Sequence, residues 1–478
     1  HMGIYASKNH YSTHSMENFY LDNLSISDNY YGMYIRGPIY SSAIKNTTVY
    51  GSDFYGVYLN NFNDGLIADN TVYSNYNTGL YIYDSDNNEI TGNTAFANGG
   101  SGISVSTSYN STMRNNTMTE NTYDFSVSGK TALNSYHYIH DIDTSNTVDG
   151  RPVYYWVNKQ DMEVPTDAGF VGVIDSDNIT VKDLNLSGNN PGLLFINTNN
   201  SRIENVNASY NSFNGIYMTH SDNNTVVKND IASNYYYGLY MYDSANNTVA
   251  GNNIDDINYG LYMHGSDNNT VEDNTIDSNS YSLYMYTSDN NAVAGNNVDE
   301  GNYGLYMYSS VNNTVEGNTL GSIHYGLYMY LSANNTVAVN TIDGINYGFY
   351  MYTSDNNTVA GNTIGESTYG LYMSYSKDNS IYDNYIDNTK KPTIYGTYTN
   401  AWNTSETSGT NIIGDPYIGG NYWANSAGTG YSQTCADADN DGFCDVPYVI
   451  NSYNTDYLPL SNKYMQTYSI TMSLYKQP

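Results

Sequence analysis

Three groups of side chains have the types and spacing to do chemistry. In the C-terminal tail, Asp437-x-Asp439-x-Asp441-Gly442-x-x-Asp445 sets carboxylates at alternate positions ahead of a glycine. Such a run wraps one hard cation, calcium foremost, with the glycine allowing the sharp turn. It lacks the bidentate Glu and the full length of an EF-hand loop, so a calcium loop and a plain acidic turn both stand as readings. Cys435 and Cys444, the only cysteines, flank it; two cysteines in a surface protein most simply pair and would close a short loop around the acids.

The second group gathers His140, Asp141, Asp143, Arg151, Lys159, Asp161 and Glu163 into one irregular stretch. It holds acids and bases but no recognisable acid pair, triad or phosphate loop. His137, His140 and Asp141 offer two imidazoles and a carboxylate to a metal, without further ligands at a fitting spacing. The third group is tyrosine, 57 of 478 residues. Tyr240, Tyr262, Tyr284, Tyr306, Tyr328 and Tyr350 recur at one position of a repeat. Tyr242, Tyr286, Tyr308, Tyr330 and Tyr352 recur two residues on, interrupted by His264. Two readings carry equal weight: stacked rings that stabilise a ladder, or a phenolic strip on which sugar rings or a protein neighbour stack.

The elements that position these groups follow from the repeat. A Tyr-Gly-Leu-Tyr-Met-Tyr phrase returns with its second position at Gly238, Gly260, Ser282, Gly304, Gly326, Gly348 and Gly370, a spacing of 22. Looser copies fall at Gly32, Gly56, Gly79, Gly102, Gly192 and Gly215. A fixed period of this length marks a solenoid. Within a copy the alternation has period two, broken by Asn- and Gly-rich turns, so each unit reads as three short strands. The fold class expected is all-β, a right-handed parallel β-helix of about 15 turns, with strands stacked about 4.8 Å apart over roughly 70 Å. The Leu239 and Met241 columns share the inward parity, which assigns the methionines to the core rather than to a copper site. The Asn252 column sits at a bend, where stacked amides hydrogen-bond to one another.

The organisation expected is N-terminal turns over 1–130, a loop or hairpin excursion over 131–170, regular turns with tyrosine ladders over 171–390, and a cap over 391–478. An open solenoid end must be covered. The charge balance is 47 acidic against 15 basic side chains, a net −32. A field of that sign repels phosphate backbones and anionic lipid, and no apolar run reaches membrane-spanning length, so nucleic-acid binding and membrane insertion are excluded. No motif for an organic cofactor appears. His1-Met2 reads as a cloning remnant, with any secretory signal upstream of it. Asn46, Asn115, Asn178, Asn223, Asn246, Asn268, Asn312, Asn334 and Asn356 open N-x-S/T triplets, glycan acceptors in a secreted chain. Asn-Asn-Thr is also the turn of the repeat, so the triplets are not independent signals.

The repeated Asn-Asn-Thr-Val-x-x-Asn-Thr-Ile turn resembles the parallel β-helix repeats of NosD-like proteins and of surface-layer-related proteins of methanogenic archaea. Asn146–Asn158, with Gly150-Arg151-Pro152-Val153-Tyr154-Tyr155, is similar to a phrase of that group. Gly419-Gly420-Asn421-Tyr422-Trp423, the acidic loop with Pro447-Tyr448, and Asp456-Tyr457-Leu458-Pro459-Leu460 resemble its C-terminal signature. The resemblance implies a secreted cell-envelope β-helix. Bacterial members are associated with periplasmic copper-site maturation, but no copper ligand set is visible, so copper is not carried over. The function expected is a non-enzymatic surface protein presenting tyrosine strips to envelope polysaccharide, to neighbouring surface proteins or to its own copies. The alternative is a hydrolase or lyase acting on envelope glycan, with its site beside the 131–170 excursion.

Overall fold

Successive repeats pair strand on strand in parallel, each residue lying over its equivalent one period away. The computed structural model describes residues 2–7, 15–130 and 135–462, and divides into two units, 1–247 and 248–478. That division falls inside the 171–390 stretch that reads as one regular lobe. Residues 131–134 of the expected excursion and 463–478 of the expected cap, like His1, lie outside the described residues.

In the N-terminal unit the first strands of successive turns include Tyr31–Tyr40, Val57–Asn63, Leu80–Tyr83, Ser101–Ser106 and Tyr123–Ser128. They pair in parallel with registers such as Leu80 on Val57 and on Ile103. Second and third strands form two further parallel stacks, among them Glu89–Thr91 and Thr94–Phe96. The three faces close around Met33, Ile35, Leu59, Ile67, Ile82 and Ile90, all fully buried.

The stretch expected to leave the helix as an excursion is wound into it instead. Asp141–Ile142 pairs in parallel with Thr112–Met113, and Thr147–Val148 pairs with Thr117–Met118. Arg151–Val157 folds back on Thr147–Val148 as a short antiparallel step, then pairs in parallel with Phe170–Ile174. The cause is visible in the residues: Val153 and Tyr155 are buried and alternate with Tyr154 and Trp156, the period of a strand. The antiparallel step interrupts the 22-residue spacing, not the strand pattern.

In the C-terminal unit Tyr259–His264, Thr275–Tyr286, Asn297–Tyr308, Ile323–Tyr330, Tyr347–Tyr352 and Thr363–Ser374 stack in register. Leu261, Leu283, Leu305, Leu327, Phe349 and Leu371 fill its interior beside Met263, Met285, Met307, Met329, Met351 and Met373, none more than 4% exposed. Asparagine ladders line the bends. Asn274 Nδ2 donates to Asn296 Oδ1 at 2.9 Å and to the Val249 carbonyl at 2.9 Å. A second ladder, Asn291 to Asn313 to Asn335, runs at 3.1 Å per step. Each buried amide thus satisfies both a neighbour and the backbone. All nine N-x-S/T asparagines named above have φ between 49° and 58°, the left-handed region that Asn tolerates. They are turn residues first.

The ladders of this unit end on the tail. Asn384 Nδ2 donates to Asn421 Oδ1 at 2.9 Å, and the Asn421 N–H donates to Asp456 Oδ2 at 2.8 Å. Asn379 Nδ2 donates to Asn400 Oδ1 at 2.9 Å, and the Asn400 N–H donates to Asn454 Oδ1 at 3.0 Å. Trp423 and Trp402 donate their indole N–H groups to the same two acceptors, Asp456 and Asn454. A Cβ at Gly420 would lie 2.0 Å from Asp456 Oδ1, so only glycine fits there. The Gly-Gly-Asn-Tyr-Trp and Asp-Tyr-Leu-Pro-Leu phrases are therefore two halves of one capping device.

Candidate functional site

The irregular cluster does not converge. His140 is fully enclosed: Nδ1 accepts from the Ser111 N–H at 3.3 Å, and Nε2–H is left to donate to the His137 carbonyl at 3.0 Å. Burial pushes its pKa down to about 4, so it stays neutral. Arg114 ties up Asp141, and reaches Asp143 at 3.1 Å. Arg151 Nη1 donates to the Asn185 carbonyl at 2.8 Å, Asp161 accepts from Asn178 at 2.7 Å, and Glu163 pairs with Lys182 at 3.0 Å. Lys159 is exposed at the rim of a depression of about 440 Å³ shared with Asp141, Tyr154 and Trp156. The acids and bases named here hold backbone or a neighbouring strand, except Lys159 and the buried His137 imidazole, whose Nδ1 has no partner.

The tyrosine columns of the C-terminal unit are face-to-face stacks. Tyr306 lies 4.7 Å from Tyr284 at 19° and 4.7 Å from Tyr328 at 7°. Tyr262 and Tyr350 extend this column at 5.1 Å and 4.6 Å. Tyr286, Tyr308, Tyr330 and Tyr352 stack at 4.9, 5.0 and 5.1 Å. A third column passes through Tyr281 and Tyr303 at 4.7 Å and meets the first edge-on, Tyr303 to Tyr306 at 87°. In the N-terminal unit Tyr240 stacks on Tyr217 at 5.2 Å, and Tyr242 lies tilted against His220. Mutual burial pushes the Tyr284, Tyr306 and Tyr328 phenols well above their usual pKa. Inside a column both ring faces are already covered by the rings one turn away, which leaves no face there for the sugar stacking that the sequence offered as one of two readings. Edges and hydroxyls are what remains.

A depression lined by six tyrosines lies in the N-terminal unit, and sequence reasoning missed it. Tyr31, Tyr34, Tyr55, Tyr58, Tyr81 and Tyr83 surround about 310 Å³, at the small end of ligand sites, roughly 300–1,000 Å³. Tyr34 and Tyr58 stack at 4.9 Å and 9°, but Tyr58 and Tyr81 are tilted by 47°, and Tyr55 leans on Tyr81 at 30°. The column loses its ring one turn on, where Ser104 pairs with Tyr81. Polar groups border the aromatic surface: Arg36 pairs in register with Asn60, whose Nδ2 donates to the Tyr58 hydroxyl at 3.0 Å. Burial, and then Tyr81, push the Tyr55 phenol up to about 12, so it is a neutral donor and acceptor at pH 7. The signal available was the looser copies at Gly32, Gly56 and Gly79, each with a tyrosine two residues on.

In the acidic loop, Asp437, Asp439 and Asp441 bring one oxygen each within 4.8 Å of the others. Asp445, expected as a fourth ligand, instead accepts the Ala438 N–H at 3.1 Å and braces the loop. Cys435 and Cys444 are bonded to each other, with Cα atoms 5.6 Å apart. Asp415, which the motif does not contain, lies against the same loop.

Fold and repeat geometry define the class: a parallel β-helix repeat protein. The chain belongs to the right-handed β-helix family, whose model, "Right handed beta helix region", matches residues 1–141 and 169–320, more than half of it. It is also NosD-like, since the model "Periplasmic copper-binding protein (NosD)" matches residues 263–428. No curated protein matches the chain. Among solved structures it is similar to a mutant of DFA-IIIase from Arthrobacter chlorophenolicus A6 in complex with DFA-III, at 15% identity and a TM-score of 0.34. That likeness covers 48% of this chain, which spans only 60% of that enzyme's length. It is similar to a double mutant of the periplasmic alginate epimerase AlgG at 14% identity and TM-score 0.38, over 71% of this chain and 75% of that one. The A-module of the mannuronan C-5 epimerase AlgE6 of Azotobacter vinelandii matches at 15% and 0.32, over 73% and 90%. These are distant likenesses and bear on no activity.

Proposed function

We propose that this protein is a non-catalytic, extracellular carbohydrate-binding β-helix that takes an uncharged glycan at the tyrosine depression of its N-terminal unit. The observation that carries the reading is the set of six tyrosines around one open depression, with Arg36 and Asn60 at its border. Sugar rings stack on uncovered aromatic faces while their hydroxyls meet phenol, amide and guanidinium groups. A net charge of −32 disfavours approach of polyanionic polymers, which selects neutral glycans. The NosD model, named periplasmic, that matches residues 263–428 supports a site of action outside the cytoplasm.

Copper finds little support in this chain's donors. Both cysteines are in the disulfide, and the repeat methionines of the segment matched by the NosD model are buried in the core, so those soft ligands are engaged. Catalysis lacks a free acid–base pair in the cluster where it was expected. The test is a panel of neutral and uronic-acid polysaccharides incubated with the full chain, with binding and products both measured. Binding of a neutral glycan without new reducing ends or unsaturated products supports the reading. Cleavage of any member favours the hydrolase or lyase alternative, and concentration-dependent assembly without glycan binding favours self-association.

A further inference from the structure

We infer that the cap holds one calcium ion between two loops, with Asp415 as a ligand beside Asp437, Asp439 and Asp441. The alternating carboxylates of the acidic loop converge to within 4.8 Å, but acidic groups gather on many surfaces without an ion. Asp415 is the independent observation. It is 2% exposed, and neither of its carboxylate oxygens has a hydrogen-bond partner. An ionisable group is not left so without cost unless something else satisfies it. Its Oδ2 lies 3.4 Å from where a Cβ at Gly442 would stand, so it faces the turn of the acidic loop. Gly442 has φ of 93°, the left-handed region that favours glycine.

The surroundings fix both loops for this purpose. Asn411 accepts the Asp415 N–H at 2.9 Å and the Asn411 N–H donates to the Asp415 carbonyl at 2.9 Å, closing a tight turn. The Thr407–Ser408 and Tyr417–Ile418 hairpin carries that turn back toward the acidic loop. Asp437 Oδ2 accepts from the Ser461 hydroxyl at 2.8 Å, Asp445 braces Ala438, and the disulfide closes the base. Four carboxylates with no thiolate or imidazole among them are a hard, all-oxygen donor set. Calcium, which takes six to eight oxygens in flexible geometry, suits such a set better than zinc or copper. The ion would tie residues 411–415 to 437–441 and stiffen the cap. The site is independent of the glycan reading, since Tyr31–Tyr83 can be assayed in EDTA.

Calcium titration of the EDTA-treated full chain by calorimetry, with melting followed by tryptophan fluorescence, tests this. We expect one calcium per chain and a melting temperature that rises with calcium. Asp415→Asn is expected to bind calcium at least about tenfold more weakly and to lose the calcium-dependent rise. Its calcium-free melting temperature should stay at or above that of the EDTA-treated natural chain, because a buried unpartnered charge is gone. Asp441→Asn, an exposed change that leaves folding intact, should weaken binding likewise, while Asp445→Asn should keep it within about threefold. No calcium bound at roughly 10 mM, beyond the weak end of extracellular sites, would overturn the inference. So would wild-type affinity in Asp415→Asn.

Discussion

The same tyrosine phrase is arranged differently in the two units. In the C-terminal unit rings repeat without a gap and cover one another at 4.6–5.1 Å. In the N-terminal unit the column that runs Tyr5, Tyr34, Tyr58, Tyr81 stacks at first, Tyr34 on Tyr5 at 10° and on Tyr58 at 9°. It then tilts by 47° at Tyr81 and meets Ser104 at the next turn, which leaves the free ring face at Tyr81 beside the depression. The looser period is not the reason. On the third strands of the same unit Tyr50, Tyr73 and Phe96 stack at 5.0 and 4.8 Å, both at 6°. An uninterrupted column stacks at either period; a missing ring opens a surface. What a ladder gains in stability it loses in ring face available to a ligand.

Breaking the ladder should have the largest effect. Replacing Tyr284, Tyr306 and Tyr328 by Ser removes three half-buried rings and their stacking, about 0.5–1.5 kcal/mol each beyond burial. A loss on the order of 4 kcal/mol in denaturant unfolding of the C-terminal unit is expected, with glycan binding retained. Binding lost without loss of stability would reverse the assignment.

Both units also end an asparagine ladder on a buried carboxylate, which sharpens the comparison through pH. Asn121 Nδ2 donates to Asp124 Oδ1 at 2.8 Å, as Asn421 does to Asp456. Burial pushes Asp124 up to about 6 and Asp456 up to about 7 from an ordinary 3.8. Raised carboxyls are protonated in the fold while the unfolded chain is already ionised. Their contribution is therefore complete below about pH 4 and declines as pH rises through the folded values, at up to about 1.4 kcal/mol per pH unit each. Hydrogen exchange in EDTA should show protection around 121–126 falling until about pH 6, and around 420–424 until about pH 7. Flat protection across that range would contradict the burial of these acids.

Opening the depression further comes next. Tyr55→Ala with Tyr81→Ala should weaken glycan binding at least about tenfold, with a smaller stability loss than the ladder variant, since two rings are removed rather than three. The smallest effect belongs to Arg36→Ala. Loss of one donor at the rim is worth roughly 1 kcal/mol, about fivefold in affinity, with little salt dependence if the glycan is neutral.

The fold was legible because a ladder forces like residues into columns: the Leu, Met and Asn columns and the Asn-Asn-Thr turns could all be read from spacing. The sites were less so, for a common physical reason. The depression is made by rings that are absent, at Thr78 and Ser104, and an absence leaves no repeating mark. Asp415 is an unremarked acid in a Gly-Asp-Pro turn until a hairpin folds it back on the acidic loop. His140 looked available for chemistry because sequence does not register that Ser111 and His137 close both its ring nitrogens. Asp445 fitted the ligand spacing, yet its carboxylate is turned onto Ala438.

Hydroxyl-radical footprinting of the full chain, with and without the tightest-binding neutral glycan, tests the central claim most directly because it reports ring by ring. Protection confined to Tyr31, Tyr34, Tyr55, Tyr58, Tyr81 and Tyr83, with Tyr284, Tyr306, Tyr328 and Tyr350 unchanged, is the expected result. Protection running along the C-terminal columns, with none at the depression, would contradict it.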